Sequence, residues 1–513
     1  MMNNLRPLST RKPSPNVILA VIAFGVFVAA DDLTVVTTML RQIVFDLGIP
    51  LPEGLDQAAW IVNAYLIAYV IIMPFIGRVS DILGRRPVYI AALVLFLLGS
   101  IWVPLAPDFP TFIIGRVLTA LGGGAMVPVG MAIIGDIYDR EKRPTALGTL
   151  GAIDTAGWVW GPLYGALLIR FLDWRWQFYL NIPLSILGII AAWWALRDLP
   201  RSSSRARIDW LGIALLTAGL LSLNIALLNS GSIQNVSNLS ELSNPAGPSM
   251  VPLYLFSLVC FVAFYIVEKR LSISSTQDST GVKPFLDPSL FKRPNFSSAI
   301  TVNFLVGSAL IIAMVNVPLI VNVLETGVGE AALTSGLLLS AMTVSMAVTA
   351  YLGGRFTERW SYRPVTAAGL IACVIGFGLM GISWTAETPY SQMVWQLIIL
   401  GAGFGLVTAP IGAAVINAAP DDERGIASSL VIVLRLIGMS VGLSSLTAWG
   451  LHRFDILRKE VLLPEITDPG FQDALVKGLT SITVSVLTET FLISAVVMIV
   501  ALVVAMTLRR DKS

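Results

Sequence analysis

Five ionisable residues stand where a water-soluble chain would not keep them, inside apolar runs long enough to cross a bilayer. Asp31 and Asp32 share the first such run, Arg116 lies in the fourth, Asp154 in the fifth and Arg435 in the thirteenth. A charge at mid-bilayer costs roughly 2.5–3.5 kcal/mol on insertion scales, so such residues face a cavity, pair with one another and mark a path for ions or substrate. An acid beside an arginine can take up and release a proton, because a nearby cation favours the charged carboxylate and its departure favours the protonated one. Other chemistry has little to build on. His452 is the only histidine, Cys260 and Cys373 both sit in apolar runs, and no Gly-Lys dipeptide exists for a phosphate-binding loop. We therefore expect no metal site, no ATP hydrolysis and no cofactor other than a proton gradient. A membrane-embedded lipid-modifying enzyme is the weakest reading, since no histidine–carboxylate cluster supports it. Nothing in the charge pattern calls for nucleic acid.

The elements that must hold these residues are helices. Of the 513 residues, 55% are hydrophobic and 13% charged, with a mean hydropathy of +0.78. Apolar runs of about 20 residues recur from end to end, which predicts an all-α integral membrane protein. We read fourteen spans, the first near 16–40 and the last near 485–508. The first run follows Arg6, Arg11 and Lys12, but it is long and holds two acids, so no cleavable signal peptide is expected. Basic residues orient the chain. With the N-terminus inside, the inner segments hold 25 of the 34 lysines and arginines and the outer segments hold seven. Both termini are then cytoplasmic, and the expected location is the cell (inner) membrane.

An internal repeat divides the chain. Residues 77–88 read GRVSDILGRRPV and residues 354–365 read GRFTERWSYRPV, 277 positions apart. Arg143, Asp154, Gly157 and Gly161 align with Arg424, Arg435, Gly438 and Gly442 at an offset of 281. This predicts two six-helix bundles related by a pseudo-twofold axis along the membrane normal, residues 1–200 and 296–513. Two linker transmembrane helices and a cytoplasmic loop occupy 201–295. Asp154 and Arg435 hold equivalent places in the two copies, so they are expected to meet across the central cavity as an interdomain pair.

Gly77, Asp81, Gly84, Arg85 and Arg86, echoed by Gly354 and Glu358, resemble the loop signature of the major facilitator superfamily. Gly157, Gly161, Pro162 and Gly165 resemble the GxxxGPxxG signature of its antiporters, with Ala166 in place of the usual last glycine. Asp32-Leu-Thr34-Val-Val36 resembles the Asp-x-Thr-Val-Val of the fourteen-span drug:proton antiporters. That register implies Asp32, ahead of Asp31, as the proton carrier, with Arg116 as its charge partner. The stretches 60–86, 161–165 and 425–454 resemble more narrowly the mycobacterial triacylglyceride exporters. The resemblance implies a secondary transporter, a proton-coupled exporter of lipid or another lipophilic substrate. It leaves open a multidrug:proton antiporter, which would share the same engine, and an extracytoplasmic lipid-carrier protein as a partner outside the bilayer. Asp81 is expected to approach the start of the span holding Arg424, and Glu358, by symmetry, Arg143.

Exporters of that branch carry long outer helices, and the chain has room for them. No proline interrupts 424–463, so a helix there reaches about 60 Å, twice the ~30 Å hydrocarbon core. Residues 471–508 are likewise proline-free. Near 452–484, Leu451, Phe454, Leu457 and Val461, then Phe471, Leu475 and Leu479, recur at helical spacing between charges. That pattern predicts a hairpin standing outside the membrane.

Overall fold

The computed structural model describes residues 13–49, 55–199, 209–230, 250–277, 286–325, 328–459 and 471–509. Among them run fourteen long helices. The first bundle comprises α1 (Pro15–Asp46), α2 (Leu55–Leu83), α3 (Arg85–Trp102), α4 (Phe109–Ile137), α5 (Arg143–Phe171) and α6 (Arg175–Ala195). The linker pair is α7 (Trp210–Ser230) and α8 (Val251–Gln277). The second bundle comprises α9 (Pro294–Leu324), α10 (Val328–Trp360), α11 (Tyr362–Ser383), α12 (Tyr390–Ala418), α13 (Arg424–Arg458) and α14 (Phe471–Ala505). Twelve of these helices are long and apolar enough to cross a membrane. The exceptions are α5, diluted by glycines and by Asp154, and α7, whose qualifying run, Trp210–Ala226, falls short. Pro74, Pro128, Pro318 and Pro410 sit inside helices, where neighbouring helices and local adjustment re-satisfy the backbone groups each proline frees.

The sequence repeat is a packing repeat. In the first bundle α1 packs on α5, α3 on α4, α2 on α4 and α3 on α6; in the second, α9 packs on α13, α11 on α12, α10 on α12 and α11 on α14. The halves meet along two equivalent seams, α2 against α13 and α10 against α5. Even the backbone of the repeated loop is kept. Gly84 has φ 97° and its counterpart Ser361 has φ 73°, the one non-glycine residue of positive φ among the described residues. The linker helices break the symmetry: α7 lies against α2 and α13, with α8 outside it. Only 22% of the apolar window of α8 is buried, against 78% for α4, so α8 rides on the lipid side.

Three expectations change. Within the stretch 201–295, α8 continues through Glu268, Lys269 and Arg270 to Gln277, and residues 278–285 of the expected cytoplasmic loop lie outside the described residues. The last bundle begins at Pro294, a proline at the first helical turn, not at residue 296. The long helix from Arg424 closes at Arg458, and residues 460–470 of the expected hairpin lie outside the described residues, as do the side chains of Leu451, Val461, Phe471 and Leu475. At 35 residues each, α13 and α14 still reach about 52 Å. Arg453 of α13 pairs with Glu489 of α14 at 3.0 Å.

Candidate functional site

Polar centres interrupt the apolar interior, and three of those among the described residues hold the ionisable residues singled out above. The first is on α1. Neighbouring positions on a helix point about 100° apart, so the two acids face different partners. Asp32, wholly buried, takes Arg116 Nη1 of α4 on Oδ2 at 2.9 Å and Asn181 Nδ2 of α6 on Oδ1 at 3.1 Å. Arg116 lies over the ring of Tyr65, 4.1 Å from its centroid. Asp31 accepts instead from Gln177 Nε2 at 3.0 Å. Gln177 and Asn181 are one helical turn apart on α6, so one face of that helix serves both acids. The glycines of α5 bring this turn of α1 into place. A side chain at Gly157 would strike Ala30 Cβ at 2.7 Å and Phe27 O at 2.9 Å, and one at Gly161 would strike Thr34 Oγ1 and, at 3.0 Å, Asp31 O. Gly165 faces Thr38 and Val35 in the same way, and Pro162 lies in α5 between these glycines. The stripe therefore sets the α1–α5 spacing beneath the acids.

The second centre joins the halves. Asp154 Oδ2 of α5 and Arg435 Nη2 of α13 are 3.8 Å apart, an ion pair too long for a hydrogen bond. The pair lines a narrow cavity with Trp158, Leu310, Met314 and Met342. Thr155, Thr343 and Met346 complete the lining, so a charged pair and two hydroxyls share it with three adaptable methionines.

The third centre closes the end of the molecule that carries the repeated loops, its basic face. Asp81 accepts Gly425 N at 3.0 Å and Ile426 N at 3.2 Å, the first free amides of α13, and pairs with Arg85 Nη1 at 2.6 Å. Arg85 Nε reaches Asp136 Oδ2 at 2.9 Å, and Asp136 Oδ1 takes Arg424 Nη1 across the seam at 3.1 Å. Gly77 allows this approach, because a side chain there would meet the Gly425 carbonyl; Gly354 likewise sits on Pro144 O. At the other seam the expectation for Glu358 fails. Glu358 points outward and is exposed, one residue past Thr357, which turns into the core. Arg143 Nη1 reaches Asn417 Oδ1 at 2.7 Å, and Asn417 Nδ2 donates to Tyr362 Oη at 2.6 Å. Asn417 stands 281 positions after Asp136, and Tyr362 277 after Arg85. Arg85–Asp136–Arg424 and Tyr362–Asn417–Arg143 are thus repeat-related bridges, one fully charged and one carried by amide and phenol. Arg86, by contrast, belongs to the α3–α6 contact, donating to Trp193 O at 2.9 Å.

Asp136, Asn417, Gln177 and Asn181 escaped the sequence reading. The first two lie at helix ends, where a polar residue attracts no notice, although the 281 offset aligns them. The amides carry no charge, yet a glutamine and an asparagine four apart in an apolar run were the available signal.

Two six-helix bundles of matching topology, repeat-related bridges across their seams and an ion pair between the halves describe one transporter architecture. A family model for the Major Facilitator Superfamily matches residues 22–245 and 246–443. The chain belongs to the major facilitator superfamily. It is a multi-pass membrane transporter, not an enzyme. A triacylglyceride transporter of Mycolicibacterium hassiacum is 31% identical over 474 residues, 89% of this chain and 83% of that protein. A probable triacylglyceride transporter of Mycobacterium bovis is 32% identical over 456 residues, 84% and 82% of the two chains. Among solved structures, the proton:xylose symporter bound to 6-bromo-6-deoxy-D-glucose matches with a TM-score of 0.61 at 14% identity, covering 97% of this chain and 96% of the symporter. The human organic anion transporter MFSD10 matches with a TM-score of 0.57 at 14% identity, over 95% and 100% of the two chains. Both likenesses concern the major facilitator fold alone.

Proposed function

We propose that this chain is a proton-coupled exporter of lipid, with triacylglyceride as the favoured cargo. The observation that carries the reading is the extent of its likeness to proteins named triacylglyceride transporters, 31–32% identity across more than four-fifths of both chains. The cavity at Asp154 and Arg435 is about 20 Å³ in this conformation, too small to hold cargo, and that ion pair is left the task of gating between the halves. Proton exchange belongs to the acid centre of Asp31, Asp32 and Arg116. The basic face is cytoplasmic by the excess of inner lysines and arginines, so both termini lie in the cytoplasm of a cell whose inner membrane is crossed fourteen times. On this reading the cytoplasmic gate is shut in the conformation described, and an extracytoplasmic lipid carrier would receive cargo beyond it.

The second reading, a multidrug:proton antiporter, uses the same centres. The long outer helices favour lipid. About 20 residues of α13 suffice to span the hydrocarbon core, leaving some 15 to project. An insoluble cargo needs cover outside the bilayer, and a soluble drug does not. The test shortens both arms by matching helical turns and measures labelled triacylglyceride and a cationic dye in the same vesicles. Selective loss of lipid export is expected; equal survival of both activities would favour the drug reading.

A further inference from the structure

The acid centre on α1 holds two carboxylates and one cation. Asp32 is complete as an anion, since Oδ2 takes the Arg116 guanidinium and Oδ1 takes the Asn181 amide. Asp31 is not. Its Oδ2 receives Gln177 Nε2, but Oδ1 is buried with no hydrogen-bond partner. Across the same bond, Gln177 Oε1 is also buried and also without a partner. Each is a buried acceptor lacking a donor, an arrangement that costs free energy until a donor meets it. One hydrogen atom resolves both. A proton on Asp31 Oδ1, donated to Gln177 Oε1, joins the existing Nε2–H to Oδ2 bond in a cyclic acid–amide pair. The ionised form offers no such closure and adds an uncompensated buried charge.

We propose that Asp31 is the binding site for the transported proton in this conformation, that Gln177 positions it, and that Asp32 is the standing counter-ion of Arg116. The inference rests on the proton-coupled reading above and reverses the order of the two acids that the Asp-x-Thr register implies. The groups facing the pair agree with it. Arg116 from α4 is committed to Asp32, α2 brings Tyr65 against Arg116, α5 brings Tyr164 within electrostatic range of Asp31, and α6 brings only the two amides. On protonation the only new bond is the hydrogen bond from Asp31 Oδ1 to Gln177 Oε1, and the proton leaves to water once the halves rearrange.

The substitutions act differently on the two acids. In Asp31→Asn the side-chain amide can pair with Gln177 in both directions, a permanent copy of the protonated acid, so folding is retained. Proteoliposomes carrying labelled triacylglyceride and a luminal pH dye read lipid movement and proton flux together. Asp31→Asn should keep downhill lipid exchange within about threefold of the wild type while losing its response to a pH gradient. Asp32→Asn strands Arg116 and should abolish both; the Asp32→Asn/Arg116→Gln double variant should restore downhill exchange. Infrared difference spectra give an independent readout. The carbonyl band of a protonated carboxyl should be present in the wild type and the double variant, absent in Asp31→Asn, and displaced in its pH midpoint by Gln177→Leu. Gradient-driven accumulation by Asp31→Asn equal to the wild type, or persistence of that band, would overturn the assignment. A band that depends on Asp31 in a wild type without lipid-linked proton flux would uphold the site and refute the coupling.

Discussion

Neutralising Asp81 should unlatch the cytoplasmic gate, and its repeat partner should not. The Asp81 carboxylate holds two backbone amides at the start of α13 and the Arg85 guanidinium, all in a buried setting. Hydrogen bonds to a charged group contribute about 1.5–3 kcal/mol each, against 0.5–1.5 kcal/mol for neutral ones. Asparagine keeps one acceptor oxygen, so Asp81→Asn loses one such bond, weakens the other and leaves Arg85 with Asp136 as its carboxylate partner beside the Ser80 hydroxyl. The closed state should lose about 2–4 kcal/mol, which shifts the ratio of open to closed roughly 30- to 1,000-fold at 1.4 kcal/mol per tenfold. The assay places a single cysteine at Thr155, beside the central cavity, with Cys260 and Cys373 replaced by alanine. A membrane-impermeant maleimide then labels it from the cytoplasmic side of inside-out vesicles. While the closed state dominates, the labelling rate follows the open fraction, so a rise of at least tenfold is expected. Glu358→Gln should stay within twofold of the wild type, because Glu358 is exposed and Arg143 is held by Asn417. Equal labelling in Asp81→Asn and wild type, or an equal rise in Glu358→Gln, would refute the asymmetric latch.

Two further outcomes follow from the interdomain contacts. Either Asp154→Asn or Arg435→Gln should impair transport more than the double change does, since each single change strands a charge in the cavity; additive losses in that cycle would deny direct coupling. Asn417→Asp gives Arg143 the charged partner that Arg424 already has in Asp136, so cavity labelling from the cytoplasm should slow several-fold, and a faster rate would contradict the bridge.

The fold was legible because membrane solvent simplifies the code. Long apolar runs and two copies of one loop prescribe two bundles, and Gly84 and Ser361 adopt left-handed backbone at matching places although only one is glycine. Charges were legible for the same reason: Asp32, Arg116, Asp154 and Arg435 have few places to go in hydrocarbon except to one another. Symmetry misled at Glu358. The repeat preserves the backbone approach of Gly354 to α5, but one helical position decides whether an acid faces the seam or water, and the offset cannot supply that rotation. Neutral partners were harder still. Gln177, Asn181 and Asn417 are ordinary polar residues until the helices bring them to Asp31, Asp32 and Arg143.

Simultaneous lipid and proton fluxes under an imposed gradient address the central claim most directly. Vesicles selected for the cytoplasmic face outward would carry labelled triacylglyceride in the outer leaflet and a pH dye in an acidic lumen. Proton-coupled export predicts that lipid reaches the inner leaflet faster as the lumen is made more acidic, and that luminal protons leave only when lipid is present. Lipid movement indifferent to the gradient, or proton efflux evoked by a cationic drug and not by triacylglyceride, would contradict the account.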